Sequence, residues 1–188
     1  RGLGDVYKRQ VKLFEKKYNF IDRVHIINDK KIKKIMLILE EIDWKLLSNG
    51  ISSRFHGDLH FENIIINKDK FKLLDWRQDF QNNLIEGDLY YDLAKLMHGI
   101  IVDHNQVNKK RFKIDINGNK ILLKINQSTN HKTCLEYFEK WLIINEYDLR
   151  KVKILTALIF INIAPLHDSP YSLFLYFFGK KMLSENSK

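Results

Sequence analysis

Apolar and polar positions alternate along this chain with two periods, and the switches between them mark its elements. After Asp29 the positions Ile32, Ile35, Met36, Leu39 and Ile42 recur at helical spacing. They predict one helix that ends near Asn49-Gly50. The runs Ile64 to Ile66 and Phe71 to Leu74 flank the polar stretch Asn67 to Lys70, which predicts a β-hairpin. Asp88 reads as the cap of a helix that continues to about Val102. Phe112 to Ile125 alternates around Asn117-Gly118 and predicts a second hairpin. Three helices then follow, beginning near His131, Tyr147 and Ser169-Pro170. The apolar run Ile154 to Leu166 is short for a membrane span and reads as a buried helix. The fold class expected is α+β, mainly helical, with small β-hairpins.

Composition narrows the picture only a little. At 188 residues and 45% hydrophobic content the chain suits one globular domain. The net charge of +9 invites a nucleic-acid partner. The excess, however, is lysine spread along the chain, without an arginine cluster or a recognised nucleic-acid motif, so no nucleic acid is expected. The single Cys134 excludes an internal disulfide and suits a reducing cytoplasm. His131 lies three residues before Cys134, but two ligands do not make a zinc site.

The chemistry concentrates in one stretch, Arg54-Phe-His-Gly-Asp-Leu-His-Phe-Glu-Asn-Ile-Ile-Ile, followed by Leu73-Leu-Asp-Trp. His56, Asp58 and Asn63 stand in the order H-x-D-x-x-x-x-N, and Asp75 follows twelve residues after Asn63. ATP-dependent phosphoryl transfer needs such a set: one acid for the acceptor hydroxyl, then an amide and a carboxylate for metal ions. Magnesium takes oxygen ligands and keeps several waters, so one Asn and one Asp suffice when nucleotide phosphates supply the rest. The hairpin between Asn63 and Asp75 would return both to the same end. Taken singly, Asp58 reads as a turn residue and Asn63 as a cap. The joint spacing favours the chemical reading.

HGDLHFENIII with LLDW, and then Gly87-Asp-Leu-Tyr-Tyr-Asp-Leu-Ala, resembles the aminoglycoside phosphotransferase and choline kinase-like family, which has a protein-kinase-like fold. The specific motifs cover roughly residues 51 to 103, and the helical remainder is looser. The resemblance implies an ATP- and Mg2+-dependent phosphotransferase acting on a hydroxyl of a small alcohol, sugar or amino alcohol. It implies Asp58 as catalytic base and Asn63 and Asp75 as magnesium ligands. Asp92 resembles the helix-borne aspartate that binds the catalytic-loop backbone. His56 and His60 would support that loop, His56 as a brace and His60 either near the transferred phosphate or in packing. Trp76 after the metal aspartate, and the lack of an A-P-E segment, separate the chain from protein kinases. The rival reading is a non-catalytic kinase-like module that binds a nucleotide or a partner.

The acceptor side is less defined. Arg77 and Asp79, after the metal aspartate, and His167 and Asp168, before the last helix, are candidate acceptor contacts or an ordinary loop pair and cap. Tyr171, Phe174, Tyr176, Phe177 and Phe178 would suit a cage for a choline-like cation, but their helical spacing suits core packing better. DWRQDF with GDLYYDLAK faintly resembles phosphotransferases of bacterial surface-polysaccharide pathways.

The first ten residues, Arg1-Gly-Leu-Gly-Asp-Val-Tyr-Lys-Arg-Gln, match at every position the translation of a transposase adapter used in sequencing libraries. Residues 1–10 are therefore expected to be a non-native scar, outside fold reasoning. Between Val11 and Phe55 there is no Gly-rich strand-turn-strand. Residues 11–188 are expected to form the C-terminal catalytic lobe, with the nucleotide-binding lobe missing and this chain by itself inactive.

Overall fold

The computed structural model describes residues 3–77, 86–102 and 107–187. In chain order these form α1 (Leu3–Lys17), β1 (Ile26–Ile27), β2 (Lys30–Lys31), α2 (Ile35–Glu41), α3 (Trp44–Ser48) and β3 (Ser52–Ser53). Then come β4 (Ile64–Asn67), β5 (Lys70–Leu73), β6 (Gly87–Asp88) and α4 (Leu89–Ile101). The chain continues through β7 (Phe112–Asn117), β8 (Lys120–Ile125), α5 (Thr129–Ile144), α6 (Leu149–Ile163) and α7 (Tyr171–Asn186). The architecture is α+β, predominantly helical with small sheets, as the pattern predicts.

The core lies where α6 packs between α4 and α7. Val152, Ala157, Leu158 and Phe160 of α6 meet Ala94 and Met97 of α4 and the fully buried Phe174, Tyr176 and Phe177 of α7. Each such large side chain contributes about 2–3 kcal/mol by leaving water. The run from Ile154 is thus a buried helix, ending in a 3-10 turn at Ala164–Leu166. Among the described residues no helix is long and apolar enough to cross a membrane. The caps follow short polar side chains. Asp88 accepts from Tyr90 N, Ser128 from His131 N and Asp148 from Lys151 N.

The hairpin predicted over Phe112 to Ile125 is β7–β8. Its register pairs Asn117 with Lys120, so the two-residue loop is Gly118-Asn119, one position beyond the expected pair. It belongs to a four-stranded sheet of order β2-β1-β8-β7, in which β1 runs parallel to β8 and antiparallel to β2.

The single helix expected after Asp29 is corrected. Asn28 and Asp29, both at positive φ (49° and 62°), are the two-residue turn between β1 and β2. Helix begins only at Ile35, and it breaks at Ile42–Asp43, where the Asp43 carboxylate accepts from Leu46 N and starts α3. Pairing with β1 across that turn claims Lys30 and Lys31, and Ile32 N donates to His25 O at 2.8 Å, so the start that local periodicity assigned to helix is strand. Residues 3–10 continue without interruption into α1, and Tyr7 stacks on Trp44 with ring centroids 5.8 Å apart.

Two hooks set the entry to the functional stretch. The buried Lys151 ammonium donates to Leu46 O (3.2 Å) and Asn49 O (2.6 Å) and sits 4.2 Å from the Tyr90 ring centre. The Asp88 carboxylate accepts from Ile51 N at 3.1 Å, while β3 pairs antiparallel with β6. Residues 54–63 are thereby laid along α4.

Candidate functional site

The chain turns sharply after Phe55. Gly57 adopts φ +81°, and a Cβ built there would lie 2.7 Å from the Arg77 side chain, so the turn requires glycine. The Asp92 carboxylate closes this turn from beneath. It accepts from His56 N at 2.6 Å and from Gly57 N at 2.8 Å. Burial raises the Asp92 carboxyl above the usual range, and the two backbone donors oppose that rise.

His56 ties the turn to the β4–β5 hairpin. Its Nδ1 accepts from Asp58 N (3.2 Å), its Nε2 donates to Leu74 O (2.6 Å), and its carbonyl accepts from Arg77 N (2.9 Å). The Trp76 ring lies 5.0 Å from its imidazole. His56 is a brace, with no contact to the open cleft.

The hairpin brings Asn63 and Asp75 to one end. The register pairs Ile64 with Leu73 and Asn67 with Lys70 around the loop Lys68-Asp69. One step beyond its open end, Leu74 N donates to Asn63 O at 2.9 Å. Asp75, the next residue, adopts φ +54°. That conformation costs a non-glycine residue on the order of 1 kcal/mol, and the flanking bonds at Leu74 and Arg77 hold it. The Asn63 amide is oriented by its own NH2 group, which donates to Asp58 O (3.0 Å) and lies 3.2 Å from His60 Nε2. Its Oδ1 is left as the atom suited to a hard cation. Among the described residues no group of three or more His, Cys, Asp or Glu side chains could hold a metal ion. The donor set here is one amide and one carboxylate, which fits magnesium only with further oxygens from a ligand.

Asp58 lines a cleft of about 570 Å³ together with His60, Lys95, His98, His167 and Tyr171. Its Oδ1 is 2.6 Å from Lys95 Nζ, and its Oδ2 is 3.5 Å from His60 Nε2. His60 Nδ1 in turn donates to Glu62 at 2.7 Å. Burial alone would raise the Asp58 carboxyl. The Lys95 hydrogen bond and charge, with His60 and Arg77 beyond, outweigh it and hold the carboxyl below the usual range.

The acceptor candidates separate. His167 lines the cleft, its ring 4.9 Å from that of Tyr171. Asp168 starts α7 by accepting Ser172 N on its carbonyl. Arg77 packs over Tyr91, 5.7 Å from the ring centre, and does not line the cleft. Asp79 lies outside the described residues. Of the five aromatic residues weighed as a cation cage, Phe174, Tyr176 and Phe177 are fully buried core, and Tyr171 is the one that reaches the cleft.

Sequence reasoning missed Lys95. The signal was present: Lys95 follows Asp92 by three residues on the predicted helix, so both share the face that meets the turn. No protein-family model, no curated protein and no solved structure matches this chain in comparison, so the site geometry carries the functional reading.

Proposed function

We propose that this chain is the catalytic lobe of an ATP- and Mg2+-dependent phosphotransferase that phosphorylates a hydroxyl of a small molecule. One observation carries the reading. A single turn, closed by Asp92, sets Asp58 at a cleft while the β4–β5 hairpin returns Asp75 beside Asn63.

Each residue has a role in that chemistry. Asp58 orients the acceptor hydroxyl and takes its proton as the bond to phosphorus forms. Asn63 and Asp75 would hold magnesium, whose charge when bound neutralises the phosphate oxygens. His56 and Asp92 fix the turn, and the reaction is mostly positioning. The acceptor fits the cleft between α4 and the start of α7. Its lining is mixed, with Asp58, Lys95 and three imidazoles beside Val102, Val107 and Ile163, and Tyr171 is its one phenol ring among the described residues, which favours a hydroxyl-bearing compound over a quaternary ammonium held in an aromatic cage.

The direct test uses Mn2+ with ATP as a paramagnetic probe of the chain. Selective broadening of the Asn63 and Asp75 resonances, lost in Asp75→Asn, is expected. Broadening elsewhere, or none at millimolar Mn2+-ATP, would overturn the metal assignment. A transfer assay against a panel of alcohols tests the activity. Nucleotide binding without transfer to any acceptor or to water would favour the non-catalytic module instead.

A further inference from the structure

We propose that Lys95 is the positioning residue for Asp58: its ammonium holds Oδ1 at 2.6 Å, so that Oδ2, which faces His60 Nε2 across the longer distance of 3.5 Å, is the oxygen that receives an acceptor hydroxyl. The inference rests on the phosphotransferase reading, and it names a residue that reading does not supply.

Among the described residues Lys95 is one of three buried lysines, and the other two show what a structural lysine does in this fold. Lys151 gives its ammonium to Leu46 O and Asn49 O, and Lys180 gives its own to Val24 O. Both complete backbone carbonyls. Lys95 instead reaches a carboxylate, at 2.6 Å, on the wall of a cleft that it helps to line. A buried ammonium needs a partner, and a carbonyl serves at less cost than a carboxylate that must then be desolvated too. The choice of Asp58 therefore points to a requirement at Asp58.

That requirement is a single productive orientation. A carboxylate has two equivalent oxygens and rotates about its last bond. Fixing Oδ1 on Lys95, which α4 holds, orients Oδ2 and keeps the group ionised until the acceptor arrives. The groups that face Asp58 are Lys95 from α4, His60 within the turn, and Arg77 after β5. The neutral Tyr91 hydroxyl on α4 and Glu62, reached through His60, lie in its surroundings too.

The experiment reads the Asp58 side-chain geometry in the full chain, as wild type, Lys95→Met and Lys95→Arg. Three-bond couplings of Asp58 should report one rotamer in wild type, averaging in Lys95→Met and recovery in Lys95→Arg. Couplings unchanged in Lys95→Met would overturn the proposal. Should Lys95→Met not fold, the reciprocal Asp58→Asn decides: the slowly exchanging Lys95 ammonium signal should be lost, and its persistence overturns the pairing. Neither measurement uses nucleotide or acceptor. In transfer-competent protein Lys95→Met should lower turnover more than it changes the acceptor KM, and Lys95→Arg should recover turnover. A wild type that binds Mg2+-ATP and transfers nothing would count against the phosphotransferase reading alone.

Discussion

The Asp92 carboxylate accepts a 2.6 Å hydrogen bond from the backbone amide of His56, thirty-six residues earlier in the chain. A second bond, from Gly57 N, uses the other oxygen. Asp92→Asn keeps the shape but turns an NH2 group toward one of these two donors. The variant should lose about 1–3 kcal/mol of stability, the cost of one unsatisfied buried donor. Chemical denaturation measures it, and amide exchange at His56 and Gly57 should accelerate. Unchanged exchange at both would show that Asp92 does not hold the turn.

Gly57 meets two constraints at once, a φ of +81° and the Arg77 side chain at 2.7 Å from any added Cβ. Gly57→Ala should destabilise by ~1–2 kcal/mol through the left-handed conformation alone. Displacement of Arg77 from the Tyr91 ring should accompany it. A thermal midpoint equal to wild type would contradict the backbone assignment.

Asp58→Asn removes the proposed base while preserving volume. In transfer-competent protein, turnover should fall by ~10²–10⁴-fold with nucleotide affinity little changed. Near-normal turnover would remove Asp58 from that role. The same substitution leaves the Lys95 ammonium without its carboxylate, so a modest fall in the unfolding midpoint is expected alongside.

Lys180 supplies a pH signature. Burial pulls its ammonium down to about 8, against the opposing charges of Glu15 and Asp22. A lysine with a lowered folded-state pKa binds fewer protons folded than unfolded between about 8 and its ordinary 10.5. Its contribution to stability therefore rises with pH across that window, by on the order of 1 kcal/mol per pH unit. Below the window the buried charge is a cost. The stability difference between wild type and Lys180→Met should shift toward wild type from pH 8 to pH 10. A difference independent of pH would refute the assignment.

Ile66 and Phe71 face each other across the β4–β5 register yet are 67% and 71% exposed. With Trp76 and Leu74 also exposed nearby in sequence, the hairpin leaves apolar surface in water. Phe71→Ser should change stability by less than about 0.5 kcal/mol and reduce self-association. Sedimentation at rising concentration distinguishes this from a hairpin packed in solution, which the substitution would destabilise.

Local sequence determined the elements whose signals lie within a few residues. Asp88, Ser128 and Asp148 each accept from a backbone N–H two or three positions on, so those helix starts were legible. The β4–β5 turn was equally local, and it alone returns Asp75 to Asn63. The aromatic spacing of α7 read as core, and Phe174, Tyr176 and Phe177 are core. Tertiary structure decided the rest. The helix expected after Asp29 gave way at its start because Lys30 and Lys31 pair with β1, and β1 is itself held on β8, more than ninety residues later, which no local window contains. Lys95 looked like one more lysine in a lysine-rich chain. Only the packing of α4 beneath the turn brings its ammonium to Asp58, since the pairing spans thirty-seven residues and depends on where two separate elements meet. Residue types fix what a site could do chemically, but its distances come from long-range contacts, and those set the charge and orientation of Asp58.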